Sequence, residues 1–372
     1  MKLDASGARQ WDRRFGGAAD DRLFSLQPTS DGGYILGGDS ASGVGGDKSE
    51  ASRGVTDYWV VKLDAAGNKQ WDRTYGGSSG DQLTSVRQTS DGGYILGGIS
   101  LSGADGDRTE PGRGVAGTSD YWIVKLDSAG DKQWDKRYGG AGNDMLWAVR
   151  QTADGGYLLG GYSGSDAGGD KSENNHNALG FPYAPLDFWI VKVDGAGTRQ
   201  WDRTLGGDRD EYLKDLQVTA DGGCVLGGYS MQADADYRVI KLNAAGAVQW
   251  DALYGGPGNT ECLSGLQPTA DGGYVLCGTN ATGTWIVKVD DSGRRQWDRT
   301  YGAAWAGVPN PQAVRVRQTA DGGLLVGGDR WDTTLTTAWD YWVMKLQIEP
   351  PAGASSSGTT AAPVSGGPVE VF

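Results

Sequence analysis

Residues Asp57–Gly97 read DYWVVKLDAAGNKQWDRTYGGSSGDQLTSVRQTSDGGYILG, and the rest of the 372-residue chain repeats this unit. The triplet QWD occurs six times, with its tryptophan at Trp11, Trp71, Trp134, Trp201, Trp250 and Trp297. A second triplet, DGG, begins at Asp31, Asp91, Asp154, Asp221, Asp271 and Asp321. Two landmarks that recur six times in one order define a repeat of roughly 50 to 65 residues, a period that means a solenoid, a propeller or an array.

Within the unit, four stretches have strand character. Strand A is LTSVRQT (Leu83–Thr89), alternating apolar and polar. Strand B is YILGG (Tyr94–Gly98), joined to A by SDGG. Asp-Gly favours a hairpin because glycine accepts positive φ. Strand C is DYWVVKLD (Asp57–Asp64), β-branched and aromatic. Strand D is KQWDRTY (Lys69–Tyr75), joined to C by AAGN, which becomes SAGD at Ser128–Asp131 and DSGR at Asp291–Arg294. No stretch sustains a 3.6-residue period, so almost no helix is expected. Repeated four-stranded sheets of this size predict an all-β six-bladed propeller over residues 1–348. The N-terminal MKLDASGARQWDRRFGG matches the second half of a unit, and the last repeat stops where that piece begins. The ring is therefore expected to close by Gln10–Arg14 pairing with Asp340–Lys345.

Composition narrows the class. Glycine accounts for 64 residues, about 17%, against a usual ~7%, with no collagen period. Fifteen Trp and sixteen Tyr argue for a packed fold. The net charge of −13 disfavours nucleic acid and anionic membrane surfaces as partners. No apolar run approaches the ~18 residues of a membrane helix, so membrane insertion is not expected. A monomer is expected. Cys224, Cys262 and Cys277 are too few and odd in number for a disulfide framework, and Cys224 and Cys277 read as buried small hydrophobes. Repeat sequence starts directly after Met1, without a visible signal peptide, as in a mature or trimmed form. Residues 349–372 are mostly Pro, Ala, Ser, Thr and Gly, a linker composition that implies a further module beyond it.

The unit resembles the bacterial β-propeller repeat family of secreted and surface-anchored proteins, on the motifs DYWVVKLD, QWDRTYGG and TSDGGYILGG. The tail PVEVF after its linker is similar to the region preceding the sorting domain of type IX secretion cargo. The resemblance implies a secreted or cell-surface location and offers no catalytic motif to carry over.

Candidate sites follow from where the repeats differ. The A–B and C–D turns are short and uniform, whereas three B–C loops are long (40–56, 100–119 and 163–186) and two are short (232–235 and 281–283). A sixth, Arg330–Trp339, is intermediate. Long loops on a rigid scaffold are where function concentrates. They carry GGDKSE at Gly45–Glu50 and Gly168–Glu173 and GDRTE at Gly106–Glu110. The motif reads either as a Ca²⁺ or polar-ligand site, or as a cap that orders the loop with its Lys or Arg exposed. The groove beside these loops is expected to be lined by Asp47, Glu50, Asp107, Glu110, Asp170, Glu173, Asn175, His176, Tyr183, Trp331 and Trp339. Aromatic faces among carboxylates and amides suit sugar rings.

The acids opening strand A (Asp21, Asp81, Asp144, Glu211 and Glu261) read in two ways. They ring the channel mouth and hold Ca²⁺, or, the simpler reading, each accepts turn N–H groups. The strand-C aromatics and QWD tryptophans read as blade-to-blade packing, and the strand-C lysines as partners of a nearby Asp. His176 reads as an exposed loop histidine. No nucleophile elbow, zinc-ligand pair or phosphate loop is present. The expected function is thus a non-enzymatic adhesion or recognition module whose ligand is a glycan or a surface protein. The alternative is a secreted polysaccharide hydrolase or lyase.

Overall fold

The computed structural model describes residues 1–4, 7–177, 180, 185–231, 235–256, 260–302, 312–332 and 338–347. The tail expected at 349–372 lies outside them. The chain forms a six-bladed β-propeller, and all regular structure among the described residues is strand. Each blade runs A-B-C-D as an antiparallel meander, from Asp81–Gln88 through Tyr94–Ser100 and Asp120–Leu126 to Lys132–Tyr138 in blade 2. Blades 1 to 5 have four strands, and the sixth pairs three, Gln312–Gln318, Leu324–Asp332 and Ala338–Leu346.

The predicted N-terminal pairing differs. Arg9–Trp11 pairs with Lys2–Leu3 instead of Asp340–Lys345. The N-terminal segment brings its own end of strand C and closes a standard C–D turn, with Asp4 N donating to Ala8 O at 2.9 Å and Gly7 at φ +83°. Closing so short a loop costs far less chain entropy than pairing across the whole chain. Trp11 nevertheless fills the D-strand position ahead of blade 1. Its ring lies 5.6 Å from Tyr34, edge-on, as Trp71 lies 5.7 Å from Tyr94 in the next interface.

The strand-C aromatics do pack blade on blade. Tyr58 meets Trp122 at 4.7 Å and Tyr121 meets Trp189 at 4.8 Å, and each tyrosine hydroxyl donates to the backbone carbonyl of the tryptophan it touches. The QWD aspartate has a second task. Asp72, Asp135, Asp202 and Asp298 accept the indole N–H of the strand-C tryptophan of their own blade at 3.0–3.1 Å. Blade 4 carries Arg238 in place of that tryptophan, and its guanidinium takes both oxygens of the matching Asp251.

All six strand-C lysines pair with the DGG aspartate of their own blade at 2.6–2.9 Å. In blade 2 the Lys125 side chain is 5% exposed and the Asp91 side chain 56%. The Lys125 ammonium also donates to Leu126 O, so it ties the A–B turn to the C–D turn. The second glycine of DGG makes room for this. A Cβ on Gly93 would sit 2.3 Å from Leu126 O and 2.7 Å from Lys125 Nζ. The ammonium holds the carboxyl of Asp91 down at about 2 against the effect of burial, assisted by Thr89 and the Gly93 N–H. The three cysteines are free, and Cys224 and Cys277 are buried as expected.

The unequal exposure of this pair orders two substitutions. Asp91→Ala leaves a buried ammonium unpaired and is expected to cost about 2–3 kcal/mol in urea denaturation. Lys125→Met leaves a carboxylate that water solvates, and is expected to cost under ~1 kcal/mol. Equal costs, or the reverse order, would contradict the pairing as described.

Candidate functional site

The face that carries the B–C loops is built on the GG turn between strand D and the next strand A. Asp81 Oδ2 accepts from Gly77 N and Ser102 Oγ, both at 2.8 Å. Asp144 treats Gly140 N and Ser165 Oγ the same way at 2.7 and 3.0 Å. Asp21 accepts from Gly17 N at 2.7 Å, and Glu211 from Gly207 N at 3.0 Å, with Arg238 against its other oxygen. Asp81, Asp144, Glu211 and Glu261 are buried. The four acids Asp21, Asp81, Asp144 and Glu211 are thus held by turn amides, and among the described residues no group of three or more His, Cys, Asp or Glu is arranged to hold a metal.

The loop acids expected to line a groove are spent on the scaffold as well. Asp47, Asp107 and Asp170 accept from the first glycine of the neighbouring GG turn (Gly16, Gly76 and Gly139) at 3.1–3.2 Å. Glu50 and Glu173 reach down to the outer edge of strand D and accept from Thr74 N and Thr204 N at 2.8 and 2.7 Å. Glu110 pairs with Lys136 at 3.0 Å. Ser49 N and Ser172 N meanwhile donate to the QWD aspartates Asp72 and Asp202. Each long loop therefore lies over strand D of its own blade and satisfies an edge that would otherwise be open to pairing.

The basic residue of the motif is buried, not exposed as the sequence reading had it. Lys48, Arg108 and Lys171 are 2–3% exposed, and their charged ends donate to Ser42 O, Ser102 O and Ser165 O. The loop folds back around the cation because that cation supplies donors to carbonyls no strand can reach. Asn175 belongs to the same knot, donating to Ser163 O and accepting from Lys171.

Ion pairs join the three loops into one crest. Arg53 of the first loop reaches Asp107 of the second at 2.8 Å, and Arg113 of the second reaches Asp170 of the third at 2.9 Å. His176 is half exposed but anchored. Its Nδ1 lies 2.8 Å from Oδ2 of the buried Asp187, the oxygen that also accepts the His176 N–H. Tyr183 lies outside the described residues. Trp331 and Trp339, expected in a loop, lie on strands B and C of blade 6, which run on past the usual length and place the two opposite each other.

Beyond the crest, blade 4 carries a cleft of about 310 Å³ lined by Ser230, Arg238, Asp251 and Leu253. Beside it, at the inner ends of strands A and B, lies a cluster the sequence reading missed. Trp147 stacks on Tyr162 at 6.5 Å, Tyr162 meets Tyr212 edge-on at 5.1 Å, and Tyr212 stacks on Tyr229 at 5.0 Å. Lys214 sits 4.1 Å from the Trp147 ring centre and within 6 Å of those of Tyr212 and Tyr229. Both Trp147 and Lys214 are bulge residues, which re-aims their side chains. No carboxylate pairs with Lys214 among the described residues, and burial lowers its pKa. Trp147, Tyr212, Lys214 and Tyr229 remain partly open to solvent. The repeat itself held the signal. The column of Trp147 and Lys214 reads Phe24, Thr84, Trp147, Lys214, Ser264 and Val314, whereas the column before it is leucine in five of six repeats.

No known family model matches the chain. The regulatory protein FlaEY of Caulobacter vibrioides is 27% identical over 243 residues, which are 62% of this chain and 25% of that protein, so the match spans a quarter of the relative's length. Among solved structures, Sqt1 of Chaetomium thermophilum aligns over 88% of this chain and 72% of its own at 11% identity and a TM-score of 0.46. A puromycin hydrolase aligns over 87% of this chain and 43% of its own at 12% identity and 0.48.

The buried acids have a pH signature. Burial pushes the Asp144 carboxyl up to about 6 and raises those of Asp57, Asp81, Asp120 and Asp187. A raised carboxyl stabilises the fold below its unfolded value near 4, and that contribution is lost as pH rises through 6. The DGG aspartates Asp31, Asp91, Asp154 and Asp221, held near 2, stay ionised throughout this window. The Tm is therefore expected to rise as pH falls from 8 to 5. Asp144→Asn should flatten that slope, its share being at most about 3 kcal/mol. A slope unchanged in Asp144→Asn would contradict this assignment.

Proposed function

We propose that the chain is a non-enzymatic recognition module that binds a glycan on the long-loop face, against the aromatic wall of Trp147, Tyr162, Tyr212 and Tyr229. The wall carries the reading. Among the described residues it is the one large, partly open aromatic cluster that departs from the repeat, and it adjoins a crest already held rigid by its own ion pairs. Aromatic faces stack on the apolar faces of sugar rings, and the Lys214 ammonium donates to hydroxyl or carboxylate oxygens. A rigid wall loses little entropy on binding. The loop acids support the site by fixing the crest and do not touch the ligand. The repeat motifs support an extracellular or cell-surface setting, with type IX export as its route, and a surface glycoprotein as a natural carrier of the glycan.

A polysaccharide hydrolase or lyase is the second reading, favoured by one observation. His176 is oriented by a buried carboxylate and keeps its other ring nitrogen away from that partner. A glycan array on the parent chain, with a polysaccharide digestion screen beside it, separates the two. The recognition reading expects binding without turnover, and at least a tenfold loss of affinity in Trp147→Ala with the Tm within a few degrees of the parent. Turnover that disappears in His176→Ala would replace it with the hydrolytic reading. Full binding by Trp147→Ala would remove the wall from the site.

A further inference from the structure

The axis of the propeller carries charge of the sign opposite to the chain as a whole. Strand A turns alternate side chains toward the axis. Arg87, Arg150 and Arg317 occupy one level, each opposite the second residue of its strand B. Arg315 and Asp215 lie two residues nearer the strand's start, each opposite a strand-B glycine. Across neighbouring blades Arg87 reaches Ser25 and Arg150 reaches Asp215, while burial and the Arg150, Arg315 and Arg317 charges lower Arg87. Among the described residues four guanidiniums thus share the channel with one carboxylate, 4 − 1 = +3, in a chain of net charge −13.

That carboxylate is already engaged. Asp215 Oδ1 already accepts from Arg150 at 2.9 Å, from Leu216 N and from Gln217, and Oδ2 accepts from Leu266 N. Arg87 has a hydroxyl and a carbonyl, Ser25 Oγ at 3.3 Å and Val86 O at 2.8 Å, and no acid. Arg317 makes no hydrogen bond or ion pair among the described residues. Burial, with the Arg315 and Arg317 charges behind it, brings Arg150 down to about 10, Asp215 working the other way. A guanidinium does not shed its proton at neutral pH, so this stress is not relieved by neutralisation. An anion relieves it, and guanidinium forks match oxyanions in a bidentate manner.

We propose that the central channel is a binding site for a small oxyanion, held between Arg87, Arg150 and Arg317. Of the three, only Arg150 shares a strand with the aromatic wall, three residues past Trp147, and the site does not depend on the glycan reading.

The test is thermal unfolding and titration calorimetry of the full chain with sodium sulfate, phosphate, acetate and chloride at matched ionic strength. A saturable rise in Tm with sulfate, phosphate or acetate, absent with chloride, is expected. Arg317→Gln removes a guanidinium with no protein partner and should fold normally while weakening the bound oxyanion at least tenfold. Arg87→Gln is the second variant, with the same expectation. Asp215→Asn, which deletes the competing charge, should tighten binding, and Trp147→Ala should leave it unchanged. Equal effects of all four salts, or parental affinity in both arginine variants, would overturn the proposal.

Discussion

A lysine buried in the third strand of five blades sets the terms for the rest of the propeller. Its ammonium has left water, so it must find an anion and carbonyls. The DGG aspartate and the backbone oxygen of the next residue supply them, which fixes the A–B turn against the C–D turn and requires glycine where the chain passes. Blade 6 shows what the fourth strand contributes. Its Lys345 makes the same pair with Asp321 but is 53% exposed, because its sheet pairs only three strands among the described residues.

The same economy governs the loops. A four-stranded blade ends in an edge whose N–H and C=O groups face outward. Blades 1 and 3 cover that edge with Glu50 and Glu173, while Asp47, Asp107 and Asp170 tie each long loop to the GG turn ahead of it. Carboxylates that recur with the repeat do the repeat's structural work. Among the described residues that break the repeat, the densest group is the wall around Lys214. Arg238 is a smaller instance. It replaces a tryptophan, keeps that tryptophan's aspartate, and gains Glu211.

Much of the fold was legible because the repeat presents each contact several times. Strand D was read at its observed limits, Lys69–Tyr75, and the Lys–Asp pairs and aromatic interfaces followed from mid-strand positions. The N-terminal pairing was not legible, since sequence shows that Arg9–Trp11 is a fourth strand but not whether Lys2–Leu3 competes for it. The loop acids were expected to face a ligand, and their bonds to turn and strand amides were not legible because sequence cannot show which way a carboxylate turns. Burial of Lys48 and Lys171 was hidden for a related reason, as a lysine in a glycine-rich loop ordinarily faces water. The wall escaped notice because its rings come from four strands of two blades, and no short window contains them.

Native-state hydrogen exchange on the unliganded chain tests most directly whether the loop acids belong to the scaffold. The amides of Thr74 and Thr204, held by Glu50 and Glu173, should exchange slowly, close to the rate set by global unfolding. The amide of Leu253, at the same strand-D position in blade 4 where no long loop reaches, should exchange orders of magnitude faster. Equal, fast exchange at all three positions would contradict the account, since those carboxylates would then be free to serve a ligand.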